Sequence, residues 1–390
     1  MIGLFNKETT DQEQPTVIKV VGVGGCGNNA INRMIAENIS DVEFIGVNTD
    51  LQVLRKCRGV TIEIGETISG GKGVGGDPEL GKQAAEENID RLKEVITGTD
   101  MLIVTAGMGG GTGTGAAPVV AQIAKELKCL TIAIVTTPFK WEGRDDIAKE
   151  GLEKLRQCTD ALIEVSNAKA IKIEGLSMES MYTVVDDVLR RSVQTITEVI
   201  TQTGEINRDF NDVKTVLKDS GDAVIGWGEC GAEENWMEAF NGAVHNELVE
   251  SFDISKAKKI LVNLTTPHNV PAAKIDEILA IFEKSVPGGT NVKGRVFFGQ
   301  QYKDRLDNKV SVAVIASGFK TNERIGKRSQ APQEIKDQKD HKNIKRNPQQ
   351  KEKSPTAQPQ LPLQKTKSEI AFDVPAFEGH WQPSGRLDKR

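Results

Sequence analysis

The 390-residue chain is poor in the side chains that most hydrolytic and metal sites need. Its five cysteines, Cys26, Cys57, Cys129, Cys158 and Cys230, stand far apart. With no C-x-x-C pair, neither the usual zinc spacing nor a disulfide framework is expected, and an odd, unpatterned set fits a reducing cytoplasm. The four histidines, His245, His268, His341 and His380, all lie away from the glycine-rich stretches. A Ser-His or Cys-His hydrolase at those stretches is therefore disfavoured. No apolar run reaches the ~18 residues of a membrane-crossing helix. The opening "MIGLFNKETTDQEQ" has neither a long apolar region nor a small-residue cleavage site, so it does not read as a signal peptide. The stretch "MGGGTGTGAAP" (108–118) lacks the lysine that would make it a Walker A loop.

Glycine, by contrast, is abundant and clustered, with 38 residues concentrated where backbone must turn sharply or approach a ligand. Around these clusters the chain alternates strand-like and helix-like segments. "VIKVVGVG" (17–24), "VEFIGVNTD" (42–50), "DMLIVTAG" (100–107), "LTIAIVTTPF" (130–139) and "ALIEVSN" (161–167) read as buried strands. Helical spacing is present at 28–38, 78–98 and 116–128. This alternation predicts an α/β fold, a Rossmann-like doubly wound parallel sheet with ligands at the carboxyl ends of its strands. A long helix is expected at 180–202. Beyond it, strands at 258–266, 291–301 and 309–319 with a helix at 272–286 indicate an α+β second domain.

Two strand-to-helix glycine loops are candidate phosphate sites. The first, "GVGGCGNN" (22–29), satisfies G-x-G-x-x-G through Gly22, Gly24 and Gly27. A dinucleotide turn is open here, because Asp50 follows at about the distance where an acid binds ribose, and so is a structural turn. In the second, Gly109, Gly110, Gly111, Gly113 and Gly115 let successive amides converge on an anion, and Thr112 and Thr114 add hydroxyls. Two such loops suit the phosphates of a mononucleotide better than a dinucleotide. Without a lysine, amides, helix dipoles and a metal ion must neutralise those phosphates, so binding outruns hydrolysis. A third cluster, "SGGKGVGGDPELG" (69–81), either closes over a terminal phosphate or is a surface turn.

Farther along, "GEINRDFNDVKTVL" (204–217) groups Asn207, Asp209 and Asp212 at a helix start. They either cap the helix or orient a water. The long helix would carry them far from the phosphates of their own chain, so two chains would have to meet to complete a site. Residues 321–368 hold 12 Lys+Arg against 5 Asp+Glu. That Pro/Gln/Lys-rich composition predicts a solvated, disordered tether of about 40 Å, with weak nucleic-acid or anionic-lipid affinity as the alternative.

"GGGTGTG", "VEFIGVNTD", "TAGMGGGTGTGAAPVVAQIAKEL", "VDDVLRRSVQ", "INRDFNDVKTVL" and "VSVAVIASGF" resemble the tubulin/FtsZ family from about Val17 to Phe319, and "FDVPAF" (372–377) is similar to that family's C-terminal peptide. The resemblance implies a cytoplasmic GTPase at the bacterial division site that polymerises head to tail, using GTP/GDP and Mg2+. Its phosphate contacts would be Gly24, Gly25, Cys26, Gly27, Asn28 and Asn29 with Gly109, Gly110, Gly111, Thr112, Gly113, Thr114 and Gly115. Glu142 would face the ribose, Arg144 would be the nearby arginine, Asn167 and Asp187 would read guanine, and Tyr182 would stack on it. Asn207, Asp209 and Asp212 would complete a neighbour's site. Membrane-anchoring and regulatory division proteins would bind Asp373–Phe377, with no specific nucleic acid and no direct membrane insertion. The implied organisation is a flexible 1–14, a GTP-binding domain at 15–179, a central helix at 180–203, an activation domain at 204–320, a linker at 321–368 and a partner-binding end at 369–390. Cys26, Asp77, Asp146 and Ala168 depart from the family pattern. A non-hydrolysing GTP-binding scaffold and an NAD(P)-dependent oxidoreductase are the alternatives.

Overall fold

The computed structural model describes residues 15–171, 175–201, 209–245, 254–268, 270–285, 296–302 and 308–319. Ten strands run through them: β1 (Ile18–Val23), β2 (Glu43–Asn48), β3 (Val60–Glu63), β4 (Met101–Gly107), β5 (Leu130–Thr137), β6 (Ala161–Ser166), β7 (Gly221–Gly231), β8 (Lys259–Thr266), β9 (Val296–Tyr302) and β10 (Lys309–Ser317). They form one sheet in the order β3-β2-β1-β4-β5-β6-β7-β10-β8-β9. Strands β1 to β6 are all parallel to their neighbours. The order reverses between β1 and β4, which makes the carboxyl ends of these two strands the switch point where ligands bind in open α/β sheets. Strand β7 joins β6 in parallel over only Ala161–Ile163, then pairs antiparallel with β10. The strands of the second half thus extend the sheet of the first.

The helices are α1 (Gly24–Ala36), α2 (Leu51–Leu54), α3 (Glu66–Ser69), α4 (Pro78–Glu87), α5 (Ile89–Ile96), α6 (Gly111–Glu126), α7 (Asp145–Cys158), α8 (Asn167–Ala170), α9 (Met178–Thr201), α10 (Phe210–Leu217), α11 (Met237–Val244) and α12 (Ala272–Ser285). Central strands read as continuous apolar runs because both faces are covered. On one face Ile103, Ile132, Ile163 and their neighbours pack with Ile31 and Met34 of α1 and Leu189, Val193 and Ile196 of α9. On the other, Leu102, Val104, Ala133 and Val135 pack with Ala117, Val120, Ala121 and Ala124 of α6 and Leu155 of α7. The small alanines let α6 lie close to the sheet. A third core joins β8 and β10 to Trp236, Phe240 and Phe282.

Several expected segments differ in detail. The helix expected over 78–98 is two, α4 and α5, broken at Asn88, whose side-chain oxygen accepts the Gly65 N–H at 2.8 Å. Helices α1 and α6 start inside the glycine runs rather than after them. Strands β3 and β7 carry no strong sequence signal. Strand β7 reads "GDAVIGWGECG", with glycines that let α11 approach: a Cβ on Gly226 or Gly228 would collide with the carbonyls of Ala243 and Ala239.

Candidate functional site

Strand β1 ends at Val23 and α1 begins at once with Gly24, whose φ of +74° favours glycine. A Cβ there would lie 3.0 Å from the Gly113 nitrogen, so the two glycine loops touch backbone to backbone. Gly25 faces open space. Gly27 is packed against the Thr105 carbonyl, and Asn28 is buried: its Nδ2 donates to the Gly22 carbonyl at 2.9 Å and its Oδ1 accepts from Asn48 at 2.8 Å. Gly27 and Asn28 therefore brace the turn, leaving Gly24, Gly25, Cys26 and Asn29 on the cavity wall.

The second loop is built alike. Gly109 sits at φ +95° between Pro138 and Arg144, and its N–H donates to Thr114 Oγ1 at 2.8 Å. Gly110 precedes the first turn of α6 with open space before it. Gly113 and Gly115 admit the backbones of Gly107 and Pro78, and Thr112 shares a 2.7 Å hydrogen bond with Thr49. Gly110, Gly111, Thr112 and Gly113 line the cavity, while Gly109, Thr114 and Gly115 hold its wall in place. Two helix N-termini thus meet across one space, each without a side-chain cap among the described residues and each presenting the positive end of a dipole. The third glycine cluster packs behind the second, since Val74 and Asp77 abut Gly111. Asp77 caps α4 by accepting from the Glu79 and Leu80 amides.

The cavity encloses about 500 Å³, within the range of small-molecule sites. Its far wall holds Glu142, Arg144, Asn167, Tyr182 and Asp186. Glu142 Oε1 accepts the Phe139 N–H at 3.0 Å. Phe139 stacks on Trp141 and meets the Tyr182 ring edge-on at 5.2 Å, which fixes Tyr182 at the rim. Asn167 is buried, and its Oδ1 has no hydrogen-bond partner among the described residues. A buried acceptor without a donor is costly, and a ligand N–H or O–H would remove that cost. Ala168 follows it in α8 and leaves it no acidic neighbour there.

Of the two adjacent acids on α9, Asp186 lines the cavity and Asp187 does not. Asp186 lies four residues after Tyr182 on α9, on the same helix face. Asp187 is turned away by about 100° and is held by Arg190 and Arg191 at 2.8 and 3.0 Å. Burial pushes the Asp186 carboxyl up to about 6, with Arg33 at 3.8 Å opposing it. Burial likewise pushes the Cys26 thiol up to about 11, with Asp186 adding to the effect and a hydrogen bond to Thr136 opposing it. Asp50, the acid a dinucleotide turn would need, caps α2 and does not line the cavity.

Of the polar cluster at 204–217, Asn207 lies outside the described residues. Asp209 caps α10, accepting the Asp212 N–H at 2.9 Å, and Asp212 stands in the first turn. The capping reading is thus satisfied by Asp209. Helix α9 separates the two regions: from Asp186 to Thr201 it spans about 22 Å. A larger cavity of about 730 Å³ lies on the far side of α6, between α4 and α7. It lacks the open amides of the glycine loops. Among the described residues no group of three or more His, Cys, Asp or Glu is placed to hold a metal, and no helix is long and apolar enough to cross a membrane.

Residues 17–175 match the Tubulin/FtsZ family GTPase domain, and residues 221–320 the C-terminal domain of the FtsZ family. The chain is 40% identical over 325 residues to the cell division protein FtsZ of Mycoplasmopsis pulmonis, covering 82% of this chain and 81% of that protein. It is 40% identical over 317 residues to the FtsZ of Buchnera aphidicola, covering 80% and 82%. An empty FtsZ dimer from M. jannaschii superposes with a TM-score of 0.72 at 37% identity, over 79% of this chain and 89% of that one.

Proposed function

The chain belongs to the tubulin/FtsZ family, and on that premise we propose that it is a GTP-dependent cell-division protein that assembles head to tail and hydrolyses GTP where copies meet. The observation that carries this is the pair of glycine-built helix starts, α1 and α6, facing each other across one cavity whose opposite wall bears Asp186 and the unpartnered Asn167. Amides of Gly24, Gly25, Gly110, Gly111 and Gly113 take the phosphates. Glu142 takes the ribose. Tyr182 lies against the base, and the Asp186 carboxylate accepts from guanine N1–H and the exocyclic amine, donors that adenine does not offer together. Asn167 Oδ1 accepts a third ligand hydrogen.

Mg2+ fits this site as a phosphate-held ion. Among the described residues no group of three or more His, Cys, Asp or Glu is placed to cage a metal, and Mg2+ is commonly bound through substrate oxygens and water. When bound it neutralises charge developing on the β- and γ-phosphates. Arg144, on the cavity wall, adds a cation from the protein.

Among the described residues the two glycine loops place no carboxylate or histidine of their own on the cavity wall. Hydrolysis needs a water to attack the γ-phosphorus, the bond to the β–γ bridging oxygen to break, and a proton to leave the water. We assign the proton-accepting and water-orienting work to Asp212 and Asp209 of a second copy, with Asn207. The midcell cytoplasm is the expected location, and the peptide Asp373–Phe377, outside the described residues, is the segment offered to membrane-anchoring and regulatory division proteins. Replacement Asp212→Ala tests the assignment. It should leave GTP affinity within about twofold of the parent and lower assembled-state turnover at least ~100-fold. Unchanged turnover in this variant contradicts the role.

A further inference from the structure

Two patches of opposite charge lie at opposite ends of the sheet. At the end where the parallel strands finish, α7 opens with Asp145 and Asp146, both exposed and directly following Arg144 on the cavity wall. Lys149 approaches Asp146 at 3.3 Å, but the two side chains are 73% and 97% exposed. Such a pair is weak and yields to a better partner.

The opposite end carries lysines. Register places them there: Gly221 of β7 pairs with Ala161, the first residue of β6, and Ser317 pairs with both Ala223 and Lys259. Lys218 lies three residues before Gly221, and Lys214 one turn before that on α10. Lys214, Lys218 and Lys259 line a shallow open depression with Asn211 and Thr215, where Asp219 is the one acid. Neutral partners hold two of them. Lys214 Nζ sits 5.7 Å above the Phe210 ring, and Lys259 donates to the Thr215 carbonyl. Exposed Lys256 and Lys258 precede Lys259.

We propose that these patches are the two halves of one contact between copies of this chain, the lysine face of one docking on Asp145 and Asp146 of the next. The inference rests on the head-to-tail reading above and adds the charge pairs that set its polarity. Lys214 stands within one turn of Asp212, and Asp145 adjoins Arg144. The same contact therefore brings the two aspartates of one copy toward the cavity of the other. A face that does not match itself gives an open-ended, directional stack rather than a closed dimer, and like charges at either end suppress reversed docking.

The test uses two full-length charge-reversed variants, Lys214→Glu/Lys218→Glu and Asp145→Lys/Asp146→Lys, with sedimentation in GTP as the readout. Binding of GTP by unassembled protein serves as the check on folding. Each variant alone should raise the assembly threshold at least ~10-fold, because its reversed pair then faces side chains of its own sign across the contact. An equimolar mixture should return to within ~3-fold of the parent, because the α10 patch of each variant then meets the opposite charge at the start of α7 in the other. The neutral pair Lys214→Gln/Lys218→Gln should assemble with a weaker dependence on salt than the parent. Parent-like assembly of both reversed variants, or a mixture as inert as its parts, overturns the charge pairing while leaving the filament reading intact. Parent protein that shows no GTP-dependent sedimentation at any concentration instead overturns the filament reading itself.

Discussion

At the residue scale, the acid at the base end decides most. Asp186 and Asp187 adjoin in sequence, but helix geometry sends one to the cavity and the other to two arginines. Asp186→Asn should weaken GTP binding at least ~10-fold, while Asp187→Asn should change it less than ~3-fold, as read by nucleotide titration. Only the ionised carboxylate accepts guanine's two donors, so affinity should fall as pH drops through about 6. The sign for stability is opposite. A carboxyl raised above its ordinary value contributes stability that is full below about pH 4 and is lost as pH rises through about 6. Nucleotide-free Asp186→Asn should therefore be more stable than the parent at pH 7.5, by about 1–2 kcal/mol, and not at pH 4. Cys26 offers a second test. Its thiol stays neutral at pH 7.5, so iodoacetamide should label it slowly, faster by nearly tenfold per pH unit above that, and slower with nucleotide bound. Rapid labelling at pH 7 that nucleotide does not affect would place this thiol elsewhere.

At the element scale, the glycines divide into two kinds. Gly113 and Gly115 admit the backbones of Gly107 and Pro78, whereas Gly25 and Gly110 line the cavity and face open space. Gly113→Ala should therefore cost about 2 kcal/mol or more of fold stability. Gly25→Ala and Gly110→Ala should melt near the parent and lose GTP affinity at least ~10-fold. Calorimetry beside nucleotide titration separates the two classes. The strand-helix alternation of the first half was legible because buried parallel strands are written as unbroken apolar runs such as "MLIVTAG". The start of α6 was not, because "GTGTG" has poor helix propensity and is helical only through close packing against α4 and the Gly107 backbone. The break at Asn88 escaped for a related reason: Asn and Glu-rich flanks keep a helical period while a tertiary bond to Gly65 ends the helix. Glu142, Arg144, Asn167 and Tyr182 of the far wall were legible through the family resemblance. The choice between two adjacent aspartates needed the period of α9 counted from Tyr182.

At the scale of the whole molecule, the cavity lies at one end of the parallel sheet, and the start of α10, with Asp209 and Asp212, follows α9 in the chain. On the proposed reading one chain holds the nucleotide and a second supplies Asp209 and Asp212, because from Asp186 to Thr201 α9 runs about 22 Å away from the cavity. The proposed division of labour ties turnover to stacking. The most direct measurement is phosphate release per subunit as total protein is raised from well below to well above the sedimentation threshold, in GTP and Mg2+. A rate near zero below the threshold and a rise to a plateau above it are expected. A rate per subunit that is constant across the range would contradict that division of labour.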